Sequence, residues 1–446
     1  MLTGVPLLLL IAAAIGFIIL SSARWGWHPF LALLTATLGF GLLVGLSPME
    51  VVEAINQGFG SLLGYIGLIV VLGSIIGFIL EKSGAALRIA RLILYFIGPR
   101  YPSLAMAIIG AIVSIPVFCD SGFIILNGLN HTLAKQTGKN SATLSLSLAA
   151  GLYTTHTLVP PTPGPIAAAG NLGATAHLGL IMLLGVALAI PTLLIAWIFA
   201  RRAGAHIKVE KLSDVPTEEQ QQLPSIFHSL LPIALPIILI ALAAILGFID
   251  YSGPGAKWLA FLGHPLIALF LGLVAALTLL PAWTSDYLSG WFAEGILLAG
   301  PILIITGIGG SFGGVLKATP LTVLVESWLD GGQFAGGILL MIAYLLAALL
   351  KTAQGSSTNA LVITSSMLAP ILVSVSFTEP LELALVVMAL GGGAMTVSHA
   401  NDSYFWVVTR FSGIPLERAY RSYTLMTGLQ GLSVLLGTLV LYWLLG

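Results

Sequence analysis

The chain has 446 residues, 58% of them hydrophobic and only 8% charged, with 17 basic and 17 acidic side chains in balance. A soluble domain carries about 25% charged residues, and so few charges cannot cover a water-facing surface. A water-soluble enzyme, a secreted domain and a nucleic-acid binder are therefore excluded, leaving an all-α polytopic membrane protein built from apolar windows of the ~18 residues or more that cross a bilayer. The one cysteine, Cys119, excludes an internal disulfide.

The first 20 residues lack a basic leader and a small-residue cleavage site, so they read as a first transmembrane helix rather than a signal peptide. Spans are predicted near 3–21, 27–46 and 60–80. A basic amphipathic stretch follows, Glu81–Tyr101, with Lys82, Arg88, Arg91 and Arg100. The positive-inside rule places it in the cytoplasm, which puts the N-terminus and the Glu50/Glu53 segment outside and Arg24 inside. The next apolar stretch, 103–134, is interrupted at Phe118-Cys119-Asp120-Ser121-Gly122 and ends at Lys135 and Lys139. Both of its ends belong to the cytoplasmic side, so it reads as a re-entrant hairpin, tolerated where protein or a water-filled cavity satisfies its backbone. A broken span at 141–173 and a closing span at 178–200 precede a polar cytoplasmic linker, 201–225, with Arg201, Arg202, Lys208 and Lys211.

The remainder repeats this order. Spans are predicted near 226–249, 258–281 and 291–310, with a surface stretch at 311–330. A hairpin follows at 333–377, interrupted at Gln354-Gly355-Ser356-Ser357-Thr358-Asn359, then a broken span at 381–408 and a last helix at 422–445. Arg410, Arg418 and Arg421 fall inside, Lys257 and Lys317 outside, and Lys351 within the membrane, which predicts the C-terminus outside as well. With the hairpin tips aligned, CDSGFIILNGL stands opposite GSSTNALVITS, and THTLVPPTPGP opposite VSHANDSYFW. Residues 1–200 and 226–446 thus read as two repeats, inverted because each has an odd number of crossings. Inverted repeats with discontinuous helices mark secondary transporters, whose sites lie near the midplane. The positive ends of the broken helices there suit an anionic substrate.

Ionisable side chains at membrane depth are costly and are functional candidates by default. Asp120, at the first tip, is a candidate for proton or substrate binding; Asp120 and Ser121 together equally suit a helix cap. His156 stands in Thr154-Thr155-His156-Thr157, just before a proline run that cannot continue a helix. At the second tip, Gln354, Ser356, Ser357, Thr358 and Asn359 offer hydroxyls and amides to a polyol or a carboxylate. Lys351, one turn earlier, can pair with a substrate carboxylate, with Asp120 or with Asp402, or can snorkel to an interface. Ser398-His399-Ala400-Asn401-Asp402 is a dense polar run inside an apolar span, after Gly391-Gly392-Gly393, with His399, Asn401 and Asp402 as site candidates. Tyr404, Phe405 and Trp406 read as packing or an interfacial belt. Gly309-Gly310 and Gly313-Gly314 read as sites of close helix approach or a break.

The sequence resembles the gluconate permease family (GntP-type carriers) of the ion-transporter superfamily over nearly its whole length. HPFLALL at 28–34, PPTPGP, GGSFGGVLK at 309–317, GSSTNA and SHANDSYFW carry the resemblance. It implies import of gluconate or a related small hydroxy acid, glycerate and D-serine included, by proton symport. It also implies a dimerising scaffold and a transport domain that moves as an elevator in a bacterial inner membrane. The family's acidic tip residue, usually glutamate, is Asp120 here; its threonine–histidine pair is Thr155 and His156. Its histidine between the prolines is Thr162, the arginine before its second tip is Lys351, and its histidine–asparagine–aspartate stretch is His399, Asn401 and Asp402. The departures at Asp120, Thr162 and Lys351 bear on which acid is carried.

The reading therefore expects substrate contacts from all of these residues and proton coupling at Asp120, His156, His399 or Asp402. It expects no cofactor and no metal, with the proton as coupling ion and sodium as the open alternative. The partners expected are a small anion, the lipid bilayer and a second copy bound through scaffold helices, and no nucleic acid. Two other classes compete: an intramembrane aspartyl hydrolase using Asp120 and Asp402, and a channel or sodium-coupled anion carrier. A zinc site lacks ligand spacing on any one helix.

Overall fold

The structure is a computed structural model that describes residues 1–97, 100–207, 209, 223–248, 253–320, 334–400 and 402–445. Among these residues all regular structure is helical, which follows from long apolar runs whose backbone hydrogen bonds can only be satisfied internally in lipid. In chain order the first half holds α1 (Gly4–Arg24), α2 (Pro29–Val44), α3 (Pro48–Lys82), α4 (Ala85–Ile97), α5 (Pro102–Val113), α6 (Cys119–Thr137), α7 (Ser141–Leu158), α8 (Pro163–Asn171) and α9 (Leu178–Gly204). The second holds α10 (Ile226–Phe248), α11 (Ala256–Leu262), α12 (Pro265–Ala276), α13 (Trp291–Lys317), α14 (Phe334–Gln354), α15 (Ser357–Ser374), α16 (Pro380–Met395), α17 (Ser403–Ser412), α18 (Leu416–Ala419) and α19 (Leu425–Leu445). Among the described residues, 7 helices are long and apolar enough to cross a membrane, or up to 8 if a bent pair is one span. The chain is a multi-pass membrane protein. Leu183 and Ile190 of α9 and Leu432 and Leu436 of α19 point outward, as a lipid-facing surface requires.

Several boundaries differ from the sequence reading, each for a local reason. The span expected from residue 60 starts at Pro48, because Ser47 and Glu50 form a reciprocal capping box that carries the polar Glu53–Gln57 turn into a 35-residue helix. The span at 258–281 is a pair bent by 64° at Gly263–His264, where Pro265 opens a new helix. The surface stretch expected from 311 is still α13 as far as Lys317; its residues 321–330, most of the linker (208 and 210–222) and Asn401 lie outside the described residues. In the first hairpin the break falls at Ser114–Phe118, and Asp120, Ser121 and Gly122 form the first turn of α6 instead of the gap. The prolines Pro163 and Pro165 open α8 rather than merely ending α7.

Packing pairs recur between the halves. α5 packs on α7 as α14 packs on α16; α7 on α9 as α16 on α19; α1 on α2 as α10 on α12. The second leg of each hairpin packs on the second part of the other half's broken helix: α6 with α17, and α15 with α8. The most extensive helix pairing joins α3 to α13. These two helices cross with backbones in contact, since a side chain at Gly58 would lie 2.3 Å from the Gly310 carbonyl oxygen. The run Gly391–Gly393 does the same for α16, which meets Thr157 of α7, Val434 of α19 and Tyr344 of α14 on three successive residues.

Candidate functional site

Crossed hairpin legs and broken helices bring four helix starts together, those of α6, α8, α15 and α17. Ser403 at the start of α17 donates to Asp120 Oδ2 of α6 at 3.5 Å, and the start of α8 at Gly164 abuts Thr358 and Leu361 of α15. A helix start presents unpaired N–H groups and partial positive charge, so the cluster is suited to anions.

At its centre Lys351 donates to Asp402, and the pair is buried to 1% and 3% exposure. Asp402 also accepts from the Ser398 hydroxyl, and its Oδ1 caps α17 by accepting from the Tyr404 N–H at 3.1 Å. Lys351 donates further to the Gly355 carbonyl at 3.3 Å and stands over the Tyr153 ring, 5.8 Å from its centroid. One ion pair thus ties the second hairpin tip to the broken helix that follows it. Of the partners open to Lys351 in the sequence, the structure selects Asp402. Behind the pair, Tyr153 Oη donates to the Ala394 carbonyl at 3.4 Å and Tyr404 Oη to the Ala149 carbonyl at 3.3 Å, which locks α7 to α16 and α17 to α7.

The other sequence candidates divide by what their polar atoms do. Asp120 Oδ1, His156 Nδ1 and both side-chain polar atoms of Gln354 are shielded from solvent without a hydrogen-bond partner. His156 is buried against the Phe118 ring at 6.0 Å. His399 Nε2 lies 3.1 Å from the Thr352 carbonyl, on the second tip. Ser356 caps α15, its Oγ accepting from the Asn359 N–H at 3.3 Å. Ser121, Ser357, Thr358 and Asn359 line the first turns of α6 and α15 and are half-buried. The hydroxyls of Thr155 and Thr162 are directed at backbone carbonyls freed at the helix breaks, those of Ala111 at 2.8 Å and Val159 at 2.7 Å. Tyr404 and Phe405 are buried and Trp406 is exposed.

Sequence reasoning missed Tyr153 and Ser403 as parts of this cluster. Ser398 opens the polar run that the sequence singles out, four residues before Asp402; Tyr153 was not legible, because its contact comes from the other half of the chain. A cavity lies apart from the cluster. It measures about 1010 Å³ and opens between α3 and α13 on one side and α8 and α15 on the other, with Glu50, Glu53, Asn171, Lys317 and Ser366 in its wall.

A family model described as GntP family permease matches residues 6–444. A Haemophilus influenzae protein described as an uncharacterized permease is 34% identical over 438 residues, which is 93% of this chain and 88% of that one. The gluconate permease of Pseudomonas aeruginosa is 31% identical over 432 residues, 92% of either chain. Among solved structures, Neisseria gonorrhoeae MtrF, described within a class of antimetabolite efflux pumps, matches with a TM-score of 0.68 at 15% identity, over 96% of this chain and 97% of that one. At that identity the likeness concerns the fold alone.

Proposed function

The chain belongs to the GntP permease family and is a transporter rather than an enzyme, and on that premise we propose that it imports gluconate or a closely related small hydroxy monocarboxylate together with a proton. One observation carries the reading: helix starts converge on a buried Lys351–Asp402 pair while Asp120, His156 and Gln354 beside them keep unmade hydrogen bonds. Buried polar groups are nearly always paired, so atoms left open at a helix-start cluster are suited to a ligand rich in hydroxyls. The substrate carboxylate sits on the first-turn N–H groups of α15, between Ser356 and Asn359. Gln354 and the tip hydroxyls take the sugar-acid hydroxyls, and Lys351–Asp402 holds the tip in register. The 1010 Å³ cavity between α3, α13, α8 and α15 is the approach from one side of the membrane.

The wider proposal follows the sequence. The two halves are inverted repeats, the long pair α3 and α13 belongs to a scaffold that dimerises, and the hairpins and broken helices move against it. The protein resides in a bacterial inner membrane with both termini outside. Labelled gluconate uptake into proteoliposomes tests the function. Uptake should rise with an imposed inward proton gradient, fall on adding a protonophore, and show trans-stimulation by internal gluconate, which a channel does not show. Uptake that ignores the proton gradient and follows a sodium gradient overturns proton coupling. Uptake of glycerate or D-serine in place of gluconate overturns the choice of acid.

A further inference from the structure

We infer that Asp120 is the group that carries the co-transported proton, and that the Lys351–Asp402 pair stays intact through the cycle. The inference rests on the proton-symport reading above and chooses among the four titratable candidates of the site by their hydrogen bonds.

Asp402 has its oxygens fully engaged. One accepts from Lys351 and Ser398, the other from the Tyr404 N–H. A proton on Asp402 would leave Lys351 buried without its counter-charge, an expensive arrangement. His399 is turned to a backbone carbonyl of the second tip. His156 is fully enclosed, among Phe118 and the helix break, so that charging it would place a cation beside Lys351. Asp120 differs from Asp402 and His399 in its unmade hydrogen bonds, and from His156, whose Nδ1 is also without a partner, in that protonation leaves it neutral instead of cationic. Its Oδ2 has only the Ser403 hydroxyl at 3.5 Å, and its Oδ1 is shielded with no donor at all.

The surroundings of Asp120 point the same way. Lys351 and Asp402 act on it with opposite charge, and they neutralise each other. On α6 itself the neighbour is Cys119; α7 presents Tyr153 and His156, α17 presents Tyr404, and α5 has no ionisable residue. α4, which also packs on α6, carries Arg88 and Arg91. On α3, Glu81 faces the adjacent Ser121 hydroxyl. With Lys351 held by Asp402, an ionised Asp120 puts a negative charge that has no close cationic partner in the Lys351–Asp402 cluster next to where an anion must bind. Protonation removes that repulsion and turns the carboxyl into a donor for the arriving acid. The proton enters with the substrate and leaves with it, and no bond other than O–H is made or broken.

The test uses the detergent-purified full chain, with gluconate as probe, in wild type, Asp120→Asn, Asp120→Glu and Asp402→Asn. In weakly buffered solution with a pH indicator, gluconate binding to wild type should take up protons, and its apparent affinity should weaken by about tenfold per pH unit on the alkaline side. Asp120→Asn should bind gluconate with no proton uptake and a flat pH profile, and Asp120→Glu should restore both. Infrared difference spectra without ligand supply the second readout. The carbonyl stretch of a protonated carboxyl should appear on acidification, vanish in Asp120→Asn, and persist in Asp402→Asn. Proton uptake or the infrared band surviving in Asp120→Asn assigns the proton elsewhere and overturns the inference. A wild type that binds gluconate without taking up protons overturns the coupling beneath it. A wild type that fails to bind gluconate but shows the Asp120 band overturns the substrate and leaves the proton assignment standing.

Discussion

Lys351 and Asp402 stand 51 positions apart in the chain and meet in one buried contact. Removing one partner of such a pair is far worse than removing both, because the survivor is left charged in a low-dielectric interior. Lys351→Met or Asp402→Leu alone should each cost on the order of 3–5 kcal/mol of stability. The double variant should recover most of that loss in chemical unfolding but should not transport, since the tip and the broken helix lose their tie. Strictly additive losses would show that the two residues do not act as a pair. At this scale the sequence reveals which residues are expensive to bury, and hence Asp120, His156, Lys351 and Asp402. It does not reveal who pairs with whom: Lys351 had three partners open to it, and only the register of α14 against α17 decides. Nor does it tell a hydroxyl facing a ligand from one turned to a freed carbonyl, as Thr155 and Thr162 are.

Elements were legible where their punctuation is unambiguous. Gly355-Ser356 ends one helix and caps the next, so the second tip falls where the sequence places it. Asp120-Ser121-Gly122 has the same look of a break, yet acidic and hydroxyl residues also favour a helix's first turn, and that use prevails here. The polar start of α3 was hidden because hydropathy cannot see a capping box. Gly309-Gly310 and Gly313-Gly314 were open between a break and a close approach; α13 runs unbroken through them and packs on α3. That contact makes a sharp prediction. Gly58→Val should sharply lower the thermal stability of the purified protein, because its Cβ would meet the Gly310 carbonyl oxygen at 2.3 Å. Gly60→Ala, two residues on with nothing within 4 Å, should leave it unchanged. Equal effects would mean that the crossing is not what makes these glycines necessary.

For the molecule as a whole, the charge balance of the proposed cycle is a prediction. The Lys351–Asp402 pair stays neutral, and because the empty site returns with Asp120 ionised, one proton and one monovalent anion cross per full cycle with no net transfer of charge. Proteoliposome uptake should therefore respond to a pH gradient and be indifferent to a potassium-valinomycin potential; a current on solid-supported membranes that scales with uptake would contradict it. The overall class was plain from 8% charged residues, and the order of elements from the spacing of breaks. How the halves interlock was not, because nothing within α6 announces that its neighbour is α17.

Cys119 begins α6, one residue before Asp120, and is both buried and the sole cysteine of the chain. Nature has thus placed a single thiol where the cargo is proposed to ride. A small alkylating reagent should react there only as the elbow opens, so its rate becomes a clock for that opening, slowed when gluconate is aboard. Fluorescent or spin labels can be hung on this atom with no background to engineer away.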